Sequence, residues 1–239
     1  MKILAIDSSA VVGSVALCED EVLVGMTTLN TGNTHSETLL VVIDELLSKA
    51  GWKTEDIELF ACSNGPGSFT GVRIGVSVIK GLAFGRKEAC CAGVSTLDAL
   101  AYNLNDREGI VCAVMDARRS QLYNALFRCD GKSLTRLTCD RLVSTEELKK
   151  ELSSYNEPIY LCGDGCKVAL WDICLENIKA VNSFVTYQSA YSVAQCALRK
   201  ARQGRLLTDR ELLPTYLRAS QAERERLEKE NKKEVKDND

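Results

Sequence analysis

Residues whose types and spacing bear on chemistry gather at four places in this 239-residue chain: Asp7 with Ser8, the single histidine His35, the stretch Ser63 to Gly85, and Asp116 with Arg118 and Arg119. The third, SNGPGSFTGVRIGVSVIKGLAFG, holds Gly65, Gly67, Gly71, Gly75, Gly81 and Gly85, six of the sixteen glycines. A strand-like run, Glu58 to Cys62, feeds a Gly-Pro-Gly turn whose backbone angles are costly for a residue with a Cβ. A helix is expected to open near Ser68 to Thr70, and unpaired N–H groups at such an opening form a ready anion site. Phosphate cradling at Gly65 and Gly67 is therefore one reading. The spacing argues against the familiar versions of it. A P-loop has four residues between its glycines and then Lys-Ser/Thr, whereas Gly67 and Gly71 enclose three and Val72 follows. The dinucleotide fingerprint fails for the same reason, since it needs two residues there. A tight turn and close helix packing explain the same glycines.

The other positions also carry two readings each. Asp7 and Asp116 each end a strand-like run just before a turn, where an aspartate either orients a magnesium-bound water or caps the turn. Arg118 and Arg119 are placed to meet phosphate in a cleft or to pair with acidic neighbours. His35 is a candidate base, yet no orienting partner is identifiable, and near the start of a capped helix it reads better as a contact residue. No catalytic Ser/His/Asp set is nominated. Eleven cysteines lie mostly inside apolar runs, as at Cys18, Cys62, Cys112, Cys162 and Cys196, with no C-x-x-C. That usage suits small buried hydrophobes in a reducing, cytoplasmic compartment rather than a zinc site.

Positioning these groups falls to a regular alternation of elements. Three strand signals, Lys2 to Ile6, Gly13 to Cys18 and Glu21 to Thr28, read as an antiparallel meander. Thr34-His-Ser-Glu37 matches the S/T-x-x-E capping box, so a helix is expected from His35 to Ala50, stopped by Gly51. A strand at Ile57 to Cys62, the glycine helix, a short strand near Ala89 to Cys91 and a helix from Thr96 to Asn103 follow. The polar run Asn103 to Gly109 reads as a domain junction. The second half restarts in the same way: Ala113-Val-Met-Asp116 then Leu122 to Leu126 resembles Leu4-Ala-Ile-Asp7 then Ser14 to Leu17. Strands near Leu134 to Thr138, Ile159 to Cys162 and Lys179 to Val181 alternate with helices at Thr145 to Leu152 and Ala190 to Gln203. The expected fold is α/β, with duplicated βββαβα lobes over 1–106 and 107–218, as in the actin, hexokinase and Hsp70 (ribonuclease H-like) superfamily. The charged run 219–239 is expected to be a frayed helix or a disordered tail.

Composition narrows the function classes. With 45% hydrophobic and 26% charged residues the chain is an ordinary globular sequence, and a net charge of −3 does not hold nucleic acid unaided. No apolar run approaches the roughly 20 residues that span a bilayer. Two helices carry more apolar residues than one sheet contact uses: one stripe of His35 to Ala50 can face a sheet, while Leu40 and Leu47 lie off its centre. Gly71 and Gly75, one turn apart, permit close approach of another helix. Spare apolar surface marks an interface, and its expected residues are His35, Leu39, Leu40, Ile43, Leu47, Gly71, Val72, Gly75, Val76 and Ile79.

Seven strings, in order along nearly the whole chain, resemble the TsaB family, accessory subunits of bacterial tRNA threonylcarbamoyladenosine synthesis. They are Ile6-Asp-Ser-Ser9, Thr34-His-Ser-Glu-Thr-Leu-Leu40, Asn64-Gly-Pro-Gly-Ser-Phe-Thr-Gly-Val-Arg-Ile-Gly75, Lys80-Gly-Leu-Ala83, Gly93-Val-Ser95, Asp116-Ala-Arg-Arg119 and Pro214-Thr-Tyr-Leu-Arg218. The resemblance implies a non-catalytic partner of TsaD, a larger paralogue that carries a metal and transfers threonylcarbamoyl to the adenosine beside the anticodon. It implies docking through the two apolar helices onto TsaD, or onto a second copy, with the ATPase subunit TsaE completing the assembly. ATP and metal would then act on the partner subunits, tRNA would be met only through the complex, and no membrane is involved. TsaD-like chains carry metal on an H-x-x-x-H pair whose positions here hold Thr96 and Leu100. Two other classes stay open: an ATP-dependent phosphotransferase of the actin and hexokinase type, using Asp7, Ser8, the Gly65–Gly67 turn, Asp116 and Arg118, and, more weakly, a peptidase.

Overall fold

The computed structural model describes residues 1–218 apart from Asn33 and Lys87, so the expectation for the charged run 219–239 lies outside the described residues. The first half forms β1 (Lys2–Asp7), β2 (Gly13–Glu19), β3 (Val22–Leu29), α1 (His35–Ala50), β4 (Leu59–Gly65), α2 (Phe69–Ala83), β5 (Cys90–Ser95) and α3 (Thr96–Tyr102). The second forms β6 (Glu108–Asp116), β7 (Gln121–Asp130), β8 (Leu134–Arg136), β9 (Arg141–Ser144), α4 (Thr145–Leu152), β10 (Ile159–Cys162), α5 (Cys166–Asp172), β11 (Ile178–Lys179), α6 (Ser183–Thr186) and α7 (Ala190–Arg202). The strand orders β3-β2-β1-β4-β5 and β8-β7-β6-β10-β11 are the same arrangement used twice. In each, the first strand pairs antiparallel with the second, β1 with β2 and β6 with β7, and parallel with the strand after the next helix, β1 with β4 and β6 with β10. The duplicated βββαβα organisation expected from the sequence is present.

Strand periodicity explains the layers. Side chains alternate faces along a strand, so Leu4 and Ile6 of β1 pack with α1 and α2 through Leu39, Ile43, Val72 and Val76. Ile3 and Ala5 pack on the opposite side with Ala190, Val193, Ala194 and Ala197 of α7. In the second sheet Val111, Ala113 and Met115 meet Leu97 and Leu100 of α3, while Ile110, Cys112 and Val114 meet Leu148, Leu152 and Ala169. The central strands are buried on both faces, which is why they read as near-continuous apolar runs.

Several expectations change. The last helix, α7, expected within the 107–218 lobe, packs on the first sheet instead, against Ile3, Ala5 and Ala16. The strand expected over Leu134 to Thr138 is the shorter β8 (Leu134–Arg136), and β9 (Arg141–Ser144) is a further strand that the sequence did not signal; both pair with β7. The Thr34 capping box does not form; the Glu37 N–H donates to the Thr34 backbone carbonyl at 3.1 Å instead. A full capping box closes α4, where Ser144 and Glu147 satisfy each other's N–H groups. All eleven cysteines are free and seven are buried. Among the described residues, no helix is long and apolar enough to cross a membrane.

Candidate functional site

Asp7, at the end of β1, is wholly buried. Its Oδ1 accepts from the Ser9 N–H at 2.9 Å and the Ser9 hydroxyl at 2.7 Å, and its Oδ2 accepts from the Ser63 hydroxyl. Burial pushes the carboxyl above the usual aspartate range, opposed by these hydroxyl donors. Asp7 therefore ties β1 to β4, with both carboxylate oxygens engaged inside the chain rather than free for a nucleotide. Ser8, also expected as a nucleotide contact, is likewise buried, and its hydroxyl donates to the Gly71 carbonyl at 2.8 Å.

The glycine turn is explained by the same close approaches. A Cβ on Gly65 would collide with the Thr215 carbonyl, one on Gly67 with the Ser9 carbonyl, and both residues have positive φ. The Ser68 N–H donates to Ser9 O at 2.7 Å. These glycines make room for the chain's own backbone carbonyls at Thr215 and Ser9.

Between the lobes lies a cleft of about 640 Å³, walled by Ser9 to Val11 and Pro66 to Gly71 on one side and Asp116 to Arg119, Tyr123 and Asp164 on the other. Asp116 and Arg118 do reach it. They are engaged with each other, Asp116 accepting from the Arg118 N–H at 2.7 Å and from its guanidinium at 3.2 Å. Arg118, Arg119 and Ser120 follow one another with φ of 66°, 57° and 55°, a run costly for residues with a Cβ. Asp164, just after β10, carries no signal of its own in the sequence reading. One of its oxygens is buried without a partner, and burial, together with the Asp116 carboxylate, pushes its pKa up to about 6. What could have found it is its place after the strand parallel to β6.

A second concavity, about 490 Å³, runs between α1 and α2 and is lined by Leu40, Phe69, Thr70, Arg73, Ile74, Ser77 and Val78, with His35, Ser36 and Leu39. His35 Nε2 lies 2.7 Å from the Ala10 carbonyl, which can only accept, so Nε2 carries the proton and the ring is committed to holding that loop. The expected interface set is corrected here. Ile43, Leu47, Val72, Val76 and Ile79 are buried in the chain's own core, and Leu39 touches the groove only at its edge. Gly71 and Gly75 face Ser8, whose carbonyl and hydroxyl a Cβ would strike. The residues picked out by periodicity thus lie mostly on the inward faces of α1 and α2. The open surface is carried by Leu40 and Val41, 55% and 57% exposed, with Thr70, Arg73 and Ser77, and Ile74 and Val78 half-buried between them.

The last described segment lines the cleft and braces α2. Thr215 N–H donates to Asn64 O at 2.6 Å, Lys80 Nζ reaches Leu212 O at 3.1 Å, and Arg218 donates to Ala117 O across the cleft at 3.1 Å. Tyr216 stacks on Phe69 with ring centroids 4.7 Å apart and accepts from Arg73 Nε at 2.7 Å. Thr96 and Leu100 are fully buried.

The profile of the family described as "TsaD: tRNA N6-adenosine threonylcarbamoyltransferase" matches residues 25–224. A protein from Bacillus subtilis named tRNA threonylcarbamoyladenosine biosynthesis protein TsaB is 27% identical over 95% of this chain and 99% of its own length. The protein of the same name from Escherichia coli is 38% identical over 56% of this chain and 58% of its own length. The solved structure of YeaZ from Pseudomonas aeruginosa shares the fold, with a TM-score of 0.75 at 23% identity over 90% of this chain and 99% of that one. The chain thus belongs to the TsaB family, paralogous to TsaD.

Proposed function

We propose that this chain is a non-catalytic accessory subunit that docks on TsaD through the α1–α2 groove and, with TsaE, supports threonylcarbamoyl transfer to the adenosine beside the anticodon of tRNA. The observation that carries the reading is the groove itself: an apolar floor of Leu40, Ile74 and Val78, rimmed by Thr70, Arg73 and Ser77, on two helices whose inner faces are already committed to the core. An apolar centre with a polar rim is what a helix pair needs to pack on another helix pair. A second copy of the chain is the competing occupant. ATP and metal act on the partner subunits in this reading, and tRNA is met only through the complex. Consistent with it, Thr96 and Leu100 stand where TsaD-like chains place their metal-binding histidines, and neither reaches solvent.

Reconstitution tests the proposal. TsaD and TsaE with substrate and tRNA are expected to gain modification activity when this chain is added, whereas this chain alone gives none; activity indifferent to the chain, or supplied by it alone, contradicts the reading. The phosphotransferase alternative loses Asp7 to Ser9 and Ser63 and the glycine turn to Thr215. Calorimetry of the pure chain with ATP and magnesium decides it, turnover favouring the enzyme.

A further inference from the structure

The groove and the cleft share a wall. His35, Phe69, Thr70 and Ile74 line both, so the first turn of α2 has one side toward each. On its inner side that turn is pinned by Ser8, whose hydroxyl bonds the Gly71 carbonyl. On the cleft side it is braced by Tyr216, through the stack on Phe69 and the hydrogen bond from Arg73, a groove residue whose guanidinium also lies 3.8 Å over the Phe69 ring. Two residues further on, Arg218 bonds the Ala117 carbonyl, in the loop that carries the positive-φ run of the opposite lobe. Five residues thus join the docking helix to the far wall of the cleft.

We infer that Pro214–Arg218 is a strap coupling the α1–α2 groove to the inter-lobe cleft, so that a partner seated on the groove restrains the 116–120 loop and anything that reorders that loop is felt at the groove. Tyr216 is a positioning residue here, acting through Phe69 and Arg73. The stack and the hydrogen bond are each worth a few-fold in local opening, about tenfold together. The strap itself is decided on the isolated chain; its consequence for a partner rests on the docking reading.

Hydrogen exchange of the full chain provides the test. Y216A is expected to speed exchange about tenfold both at Gly71 and Val72 in α2 and at Ala117 and Gln121 in the cleft loop, whose N–H groups are internally bonded, with β10 and α7 unchanged. R218Q, which breaks only the far end, is expected to speed the same α2 amides. Acceleration confined to the altered end in both variants overturns the strap. If Y216A fails to fold, Y216F and R218Q carry the same comparison, each removing one hydrogen bond. Adding TsaD is expected to slow exchange in the 117–121 loop of the wild-type chain but not of Y216A or Y216F; equal slowing overturns the coupling. Absence of any slowing in α1 and α2 of the wild type marks failure of the docking reading, while the isolated-chain comparison still decides the strap.

Discussion

At the scale of single residues, the cleft's most consequential group is Asp164. Its pKa is raised to about 6 because burial penalises the charged form. Between the unfolded value near 3.8 and about 6, the folded chain keeps a proton that the unfolded chain releases. The stability from this group is therefore complete below pH 3.8 and is lost as pH rises through 6. D164N, neutral at every pH, is expected to stabilise the chain at pH 7.5 by on the order of 1–3 kcal/mol, with the gain vanishing at pH 4. Urea melts at the two pH values check it, and a gain of equal size at both would show that charge is not the cause. Asp7 and Asp116 were legible from the sequence because each closes an apolar run. What they bond to was not, since Ser63 and Arg118 become their partners only through strand pairing and a tight turn. Asp164 had no flag at all: its strand, β10, is four residues long.

At the scale of elements, α2 shows how one pattern serves two uses. A small residue repeated every turn permits close approach, and the sequence does not say from which side. Ser8 answers for Gly71 and Gly75, whereas a Cβ on Gly81 of the same helix would meet nothing within 4 Å. G75A is expected to destabilise by about 1–3 kcal/mol through overpacking against Ser8. G81A is expected to stabilise by up to about 1 kcal/mol, because it removes a flexible residue from a helix interior. Denaturant midpoints of the two variants, moving in opposite directions, test the assignment of faces; a parallel shift contradicts it. The helices themselves were readable from periodicity and from caps such as Ser68, which accepts from the Gly71 N–H. The Thr34 box was a true pattern without the bond, since Thr34 offers its backbone carbonyl instead.

At the scale of the whole molecule, the duplication was legible because Asp7 and Asp116 open matching units, and the return of α7 to the first sheet was not. Its cause is packing of small residues: Ala190, Ala194 and Ala197 sit against Ala5, Ala16, Ala61 and Ala92. Those alanines are in the sequence, but only the folded sheets bring them face to face. The strap is a similar case, a string recognisable by resemblance whose contacts are with Asn64, Phe69 and Arg73 far away in the chain.

If TsaD seats on the α1–α2 groove rather than on another apolar surface, Trp171 of α5, 88% exposed on the second lobe, serves as the control. Titration calorimetry against TsaD separates the two most directly. L40E, a change at an exposed position that alters folding stability by no more than about 0.5 kcal/mol, is expected to weaken binding by at least about 30-fold, while W171A binds like the wild type. Undiminished binding by L40E, or loss of binding in W171A, would contradict docking at the groove.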